Sequence, residues 1–223
     1  ISAHLAAQGN SICVNYSAQQ EPAEALVKEL CASGTSAIAV RADVSDPAQA
    51  QTLIAQAEME LGSPTILVNN AGVSVPATLE TYDEAALDRM RRVNVNGVIN
   101  TIRAVMTGMI ERGFGRIINI ASNAAIGTAL PGTTFYAATK AEVLILTKRF
   151  ALELGRAGIT VNAVCPGWII TDMTRGTATE EEFSTRVAEM QERTMVGRVG
   201  APEDIAAAVT FLASPEAGFT TAQ

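Results

Sequence analysis

The 223-residue sequence has a single histidine, His4, three cysteines and one tryptophan, and aromatic residues make up only 4% of it. One histidine leaves little from which to assemble a Ser-His-Asp hydrolase and nothing for a zinc site resting on two histidines. Cys13, Cys31 and Cys165 lie far apart and form no C-x-x-C pair. That spacing predicts buried thiols in a reducing cytoplasm, not a disulfide framework, a metal site or nucleophiles. Positive charge is also scarce: 16 Lys and Arg stand against 23 Asp and Glu, a net charge of −7. Such a surface repels phosphate backbones, so no nucleic-acid partner is expected. Apolar runs such as Val143–Leu146 are far too short to span a bilayer, and no basic stretch precedes an apolar run as in a signal peptide. The expected location is therefore the cytoplasm, with no membrane partner. Enzymatic chemistry, if present, has to proceed without a histidine base and without a protein-bound metal.

The sequence is 48% hydrophobic and 17% charged, which excludes a disordered chain, a collagen and a coiled coil. Its length suits one α/β domain or two small ones, with a sizeable core. Apolar runs of strand length, Ile12–Asn15, Ala37–Arg41, Ile66–Asn69, Arg116–Ile120 and Thr160–Val164, alternate with stretches of helical period. The helices are predicted at Glu21–Ala32, Pro47–Leu61, Asp83–Glu111, Phe135–Arg156, Glu180–Arg193 and Pro202–Ala213. Asp46-Pro47 is a cap followed by a proline at the first helical position, and Thr179 with Glu182 is a capping box. Alternating strands and helices predict a doubly wound parallel sheet with helices on both faces. The pattern opens in the tail of a helix, Ile1–Ala7, closed by Gly9, without the central strand and glycine-rich turn with which such domains usually begin. It closes at Phe219–Gln223, where a further strand would start. A piece of a longer protein, truncated at both ends, is the expectation.

In doubly wound sheets ligands bind outside the carboxyl ends of the strands, so the residues following each apolar run carry the functional expectation. Asn69-Asn70-Ala71-Gly72 follows the third strand. Two short amides and a glycine let a backbone approach a ligand closely, although a simple tight turn serves as well. Tyr136 and Lys140 are four apart on a predicted helix and share a face. An ammonium beside a phenol lowers the tyrosine pKa and makes a general acid–base without histidine; a surface tyrosine with a neighbouring lysine is the plainer alternative. Ser122 closes the fourth strand, placed either to hold a substrate oxygen or to bond its own loop. Asn94, in Val93-Asn94-Val95-Asn96-Gly97, sits in a helix interior where asparagine and glycine are poor formers, which suggests a kink or a polar insertion or else a tolerated polar pair. Pro166-Gly167 and Thr171 follow the fifth strand, where Thr171 can bond a ligand amide and the intervening apolar residues can line a pocket.

Taken together, in order and over nearly the whole sequence, these features resemble the short-chain dehydrogenase/reductase family. Asn69-Asn70-Ala71-Gly72 is similar to its N-N-A-G turn, and Asn94, Ser122, Tyr136 and Lys140 to its catalytic Asn-Ser-Tyr-Lys set. Pro166-Gly167 through Thr171, Ile169 included, is similar to its P-G-x-x-x-T nicotinamide segment. Asp43-Val44 is similar to its adenine-contacting D-V pair. Gly197-Arg198 with Pro202-Glu203-Asp204-Ile205-Ala206 is similar to its late g-R…P-E-D-I-A stretch. The resemblance implies a Rossmann-like domain over 1–223. It implies that Tyr136 protonates a carbonyl oxygen, Lys140 lowers the Tyr136 pKa and bonds the nicotinamide ribose, Ser122 holds the substrate oxygen, and Asn94 kinks its helix and anchors a water chain. Hydride comes from the nicotinamide, so no metal is needed.

Departures from the family pattern are informative. The T-G-x-x-x-G-x-G turn and the V-D-G-G ending are not in the sequence, and the Ser122–Tyr136 spacing is one residue longer than the commonest arrangement, which suggests an enlarged loop beside the substrate. The cofactor-discriminating segment Asn15-Tyr16-Ser17 has no acidic residue to engage ribose hydroxyls. Ser17 can bond a 2′-phosphate, and no Arg or Lys is adjacent in sequence; NADP(H) is favoured over NAD(H). The general appearance is that of 3-oxoacyl-thioester reductases of the carrier-protein and coenzyme-A types, with Gly113 and Ala157 where carrier-protein enzymes place basic residues. The alternatives are a secondary-alcohol or sugar/polyol dehydrogenase and a non-catalytic nicotinamide-binding sensor. Trp168, Ile126, Leu130, Met173 and Met190 suggest an apolar pocket for a small carbonyl compound or acyl thioester, and 174–195 reads as a mobile lid. The helix Phe135–Leu154 is apolar on more than one face, which predicts a homodimer or homotetramer.

Overall fold

The computed structural model describes residues 1–127 and 130–223. In chain order, α1 (Ser2–Ala7), β1 (Ile12–Tyr16), α2 (Gln20–Ala32), β2 (Ala37–Arg41), α3 (Pro47–Leu61) and β3 (Ile66–Asn69) come first. Next are α4 (Glu84–Arg91), a π-helical turn (Arg92–Asn96), α5 (Gly97–Arg112), β4 (Gly115–Ile120) and α6 (Thr134–Leu154). The last are β5 (Ile159–Val164), α7 (Asp172–Arg175), α8 (Glu180–Arg193) and α9 (Pro202–Ala213). The start signals operate as chemistry dictates. The Asp46 carboxylate accepts from the Ala48 and Gln49 N–H groups before Pro47, and Thr179 and Glu182 form a reciprocal capping box.

Every strand pairing is parallel, and helices cover both faces. The strands form two ladders, β1–β2 and β3–β4–β5, rather than one continuous sheet. A cleft of about 590 Å³ separates them, lined by Ile12 and Val14 on one side and Ile66 and Val68 on the other. On one face Val98, Ile102, Val105 and Met109 of α5, with Val143, Ala151 and Leu154 of α6, bury Ile117, Ile159 and Val161. On the other, Leu5 and Ala6 of α1 and Val209 and Ala213 of α9 cover Ile12 and Ile118. This two-sided burial explains why the strands read as unbroken apolar runs. Ala222 N–H donates to the Val161 carbonyl and Ala163 N–H to the Gln223 carbonyl, so the final residues pair with β5.

The helix expected over Asp83–Glu111 is interrupted at the predicted place. The π turn covers Asn94 and hands over to α5 at Gly97. The cysteines differ from expectation: all are unpaired, but Cys31 is exposed and Cys13 and Cys165 only half-buried, because α2 turns Cys31 outward toward the Ala37 carbonyl. Met190 packs in the interior whereas Met195 is fully exposed. Among the described residues no helix is long and apolar enough to cross a membrane.

Candidate active site

The carboxyl ends of β3, β4 and β5 and the first turns of α6 converge on one cluster. Lys140 is 4% exposed, and its Nζ donates to the Ile120 carbonyl at 2.7 Å, across the end of β4. The ammonium lies 5.8 Å from the Tyr136 ring centre, as a four-residue helical spacing requires. Ser122 lies close enough to Tyr136 for its side chain to pull the phenol pKa down. The Ser122 Oγ also accepts the Ala124 N–H at 3.1 Å, capping a short 3-10 turn, Asn123–Ile126. Asn123 N–H donates to the Pro166 carbonyl at 3.0 Å, tying the serine turn to the loop after β5.

Burial dominates the electrostatics. Desolvation pushes the Lys140 pKa down to about 8, and it pushes the Tyr136 phenol above its ordinary value, against a smaller downward pull from Ser122. Burial thus acts on Tyr136 in the direction opposite to the lowering expected from the lysine. Cys165 lies beside Ser122 and Lys140, its thiol pKa raised by burial.

Asn94 is buried at the π turn, and its amide is fully employed. Its Oδ1 accepts the Val73 N–H at 2.8 Å, and its Nδ2 donates to the Val73 carbonyl at 2.9 Å and to Thr139 Oγ1 at 3.0 Å. It clamps the chain leaving Asn70-Ala71-Gly72 to the helix that carries Tyr136 and Lys140. Gly72 lies between the two machines: a Cβ there would stand 3.4 Å from both Asn94 Oδ1 and Lys140 Nζ. The structure therefore brings Gly72, Asn94, Ser122, Tyr136 and Lys140 together. Thr171 lies on the next loop, where its hydroxyl caps α7 by accepting the Thr174 N–H. Ile169 is held there by bridging to Gly200.

A second group of expected residues sits at the ends of β1 and β2. The Asn15 Nδ2 donates to the Val40 and Ala42 carbonyls, so this amide staples the two strand ends. Asp43 accepts the Ser45 N–H, and Val44 packs against Gly97 at the start of α5. Asn15, Val44, Asn70 and Ala71 all line the interladder cleft. Sequence reasoning missed a buried chain of amides and hydroxyls beneath the site. Thr101 donates to Asn69 Oδ1 at 2.6 Å, Asn69 Nδ2 to Asn119 Oδ1 at 2.8 Å, and Asn119 Nδ2 to Thr147 at 2.9 Å. The signal was Asn119, a polar residue inside an otherwise apolar strand.

Residues 1–223 match the family described as enoyl-(acyl carrier protein) reductase, a short-chain dehydrogenase family. The chain is a short-chain dehydrogenase/reductase. As such it is an NAD(P)-dependent oxidoreductase. This dehydrogenase/reductase is 38% identical over 226 residues to the 3-oxoacyl-[acyl-carrier-protein] reductase FabG of Staphylococcus aureus, covering 100% of this chain and 88% of that one. It is 40% identical over 219 residues to an acetoacetyl-CoA reductase of Rhizobium meliloti, covering 97% and 86%. Its structure is similar to a gluconate 5-dehydrogenase of Burkholderia cenocepacia in complex with NADP and tartrate, with a TM-score of 0.90, 34% identity, and coverage of 100% and 85%. It is also similar to a metagenomic blue fluorescent protein in complex with NADPH, with a TM-score of 0.89, 37% identity, and coverage of 99% and 87%.

Proposed function

We propose that this chain reduces the carbonyl of a 3-oxoacyl thioester, and oxidises the corresponding secondary alcohol in reverse, using NADP(H). The observation that carries the reading is the buried Ser122 beside the half-buried Tyr136 and the buried Lys140. The nicotinamide supplies the hydride when bound. The residues present fit that group: Gly72 leaves its backbone bare beside Asn94 and Lys140, where a Cβ would stand in contact with both. Asn70, Ala71, Gly72, Pro166, Gly167, Ile169 and Thr171 would hold its nicotinamide half. Asn15, Tyr16, Ser17, Asp43 and Val44 would hold its adenosine half.

In this reading Ser122 donates to the substrate oxygen and fixes it beside Tyr136. The phenol, kept protonated by burial, gives its proton to that oxygen as the carbonyl is reduced. The Lys140 ammonium steadies the phenolate left behind and bonds the ribose. Asn94 holds the Asn70–Gly72 turn and the α6 face at fixed separation, with the π turn opening a route for proton supply. Exposed apolar side chains support an acyl substrate: Ile126 follows Ser122, and Met173, Met195 and Val196 stand on or beside the lid. The lid over 174–195 is α8 with its approaches. It is braced by the Arg175–Glu180 ion pair at 2.6 Å, by Arg175 over Phe183 and by Trp168 against Phe183.

The likeness to a gluconate 5-dehydrogenase favours a polyol dehydrogenase as the second reading. A substrate panel decides. NADPH and NADH are each offered with an acetoacetyl thioester and with a simple ketone or keto sugar, with Tyr136→Phe as control. Turnover of the thioester with NADPH, lost in the variant, is expected. Turnover on the ketone or sugar alone moves the function to the second reading. Nucleotide binding without turnover on any substrate makes the chain a sensor and overturns both.

A further inference from the structure

The buried polar chain beneath the site runs from one helix, through two strands, to the other. Thr101 of α5 donates to Asn69 of β3, Asn69 to Asn119 of β4, and Asn119 to Thr147 of α6, at 2.6, 2.8 and 2.9 Å. The Thr147 hydroxyl donates onward to the Val143 carbonyl at 2.8 Å, inside its own helix. Asn69 and Asn119 are partners in the β3–β4 register. Asn119 shares a strand face with Ile117, which is packed among α5 and α6. All four residues are buried, Asn119 completely. The chain thus crosses the apolar layer between sheet and helices, and no buried side-chain nitrogen or oxygen among the described residues lacks a partner.

Stability does not call for this chain. Apolar side chains of the same shape would hold these elements together about as well, because folding only exchanges hydrogen bonds to water for internal ones. What amides and hydroxyls add is direction. Apolar contacts let a helix slide, whereas a satisfied polar network admits one arrangement. Each member adjoins a segment that carries the site. Asn69 immediately precedes Asn70-Ala71-Gly72. Asn119 immediately precedes Ile120, whose carbonyl holds the Lys140 ammonium. Thr101 lies about one helical turn past Gly97, where the π turn of Asn94 hands over to α5. Thr147 lies about two turns past Lys140, on the face of α6 that is buried. Nearer the start of α6, Thr139 is tied to Asn94 at 3.0 Å. Lys140 is therefore flanked along its helix by two polar ties, and the lower one runs through the sheet.

We propose that Asn119 and Thr147 are positioning residues of the reduction. Through Asn69 they set the distance between the Asn70–Gly72 turn, which holds the nucleotide, and the Tyr136–Lys140 face, which delivers the proton. The inference rests on the reductase reading above and adds to it residues that touch neither substrate nor nucleotide. A misplacement of about 1 Å between reacting groups can cost about 100-fold in rate, so a network that fixes both segments is read in kcat.

The test compares the wild type with Thr147→Val, with Thr147→Ser, and with an all-apolar variant carrying Thr101→Val, Asn69→Leu, Asn119→Leu and Thr147→Val together. The readouts are kcat with NADPH on the carbonyl compound the wild type reduces fastest, NADPH affinity by nucleotide fluorescence, melting temperature, and amide hydrogen exchange at Asn70–Gly72 and Tyr136–Lys140. Thr147→Ser keeps the hydroxyl and is expected to stay within about twofold of the wild-type kcat. Thr147→Val is expected to lose about 10-fold in kcat and the all-apolar variant up to about 100-fold, with NADPH affinity within about threefold. Both exchange faster at the two segments. The all-apolar variant leaves no polar side chain in the layer and is expected to melt where the wild type does. A wild-type kcat in Thr147→Val, or a loss that Thr147→Ser shares, overturns the proposal whether or not the all-apolar variant folds. A wild type that reduces no carbonyl overturns the reductase reading instead. Hydrogen exchange then still decides the tie, which falls if Thr147→Val leaves both segments as protected as in the wild type.

Discussion

At the scale of single residues, burial sets the protonation of the site, and its sign is testable. Lys140 is 4% exposed with a pKa of about 8 against an ordinary 10.5. The folded state thus holds this proton more weakly than the unfolded chain. Stability rises as pH climbs from about 8 towards 10.5, and the penalty for the buried charge, about 3 kcal/mol, is fully present below pH 8. Lys140→Met removes that penalty and loses one hydrogen bond to the Ile120 carbonyl, worth about 1 kcal/mol. The variant is expected to melt at a higher temperature than the wild type at pH 7, with the gap closing by pH 10, while activity is lost. Thermal melts across that pH range check it, and a gap independent of pH would refute the account. The phenol behaves in the opposite sense. A raised pKa keeps Tyr136 protonated at neutral pH, so the reductive rate is expected to be flat through pH 7 while the oxidative rate climbs with pH. Tyr136→Phe, which leaves the ring and its burial in place, is expected to cut both rates about 1,000-fold or more without unfolding the chain, as loss of a general acid–base does. Initial-rate profiles in both directions measure this.

Among elements, the π turn between α4 and α5 does the positioning. Its extra residue lets Asn94 leave the helix face and clamp Val73 and Thr139. Asn94→Ala leaves the Val73 N–H and carbonyl without partners and takes one of two hydrogen bonds from Thr139, whose hydroxyl still donates to the Tyr136 carbonyl. It is expected to cost about 2–3 kcal/mol in denaturant unfolding and to raise the nucleotide KM through the released Asn70–Gly72 turn. A stability loss with an unchanged KM would separate the clamp from the site. Gly97, which ends the turn, has no room for a side chain: a Cβ would stand 2.9 Å from Val44 Cγ2. Gly97→Ala is therefore expected to push the Asp43-Val44 segment outward and weaken nucleotide binding. Much at this scale was legible beforehand. Asn94 and Gly97 were conspicuous as poor helix formers, and Asp46-Pro47 and Thr179 with Glu182 announced their helices, because such signals are local in sequence. The Asn69–Asn119 and Tyr16–Arg41 pairings were not legible, since only strand register brings such distant residues together. The protonation of Tyr136 escaped for a related reason: a helical spacing shows which charge is near but not how deeply the phenol is buried.

For the whole molecule, the unresolved demand is that of α6. Its inner face, Val143, Thr147, Ala151 and Leu154, is buried against the sheet, as an amphipathic helix requires. Its outer face is apolar as well: Ile145 is 61% and Leu152 68% exposed, seven residues apart and so on one stripe, and Ile110 of α5 is 43% exposed. Large apolar side chains in such a stripe favour association. In a two-fold dimer each would be buried twice, once per protomer, at about 1.5–3 kcal/mol per side chain. We therefore expect a dimer or tetramer built on the outer faces of α5 and α6, concentration-dependent in sedimentation velocity. Replacing Ile145 and Leu152 together with Asp places charges in the seam and costs the monomer little, because neither side chain belongs to its core. The double variant is expected to sediment as a folded monomer with an unchanged circular dichroism spectrum. A wild type that is monomeric at all concentrations, or a double variant of unaltered mass, would show that α6 presents its outer stripe to solvent alone.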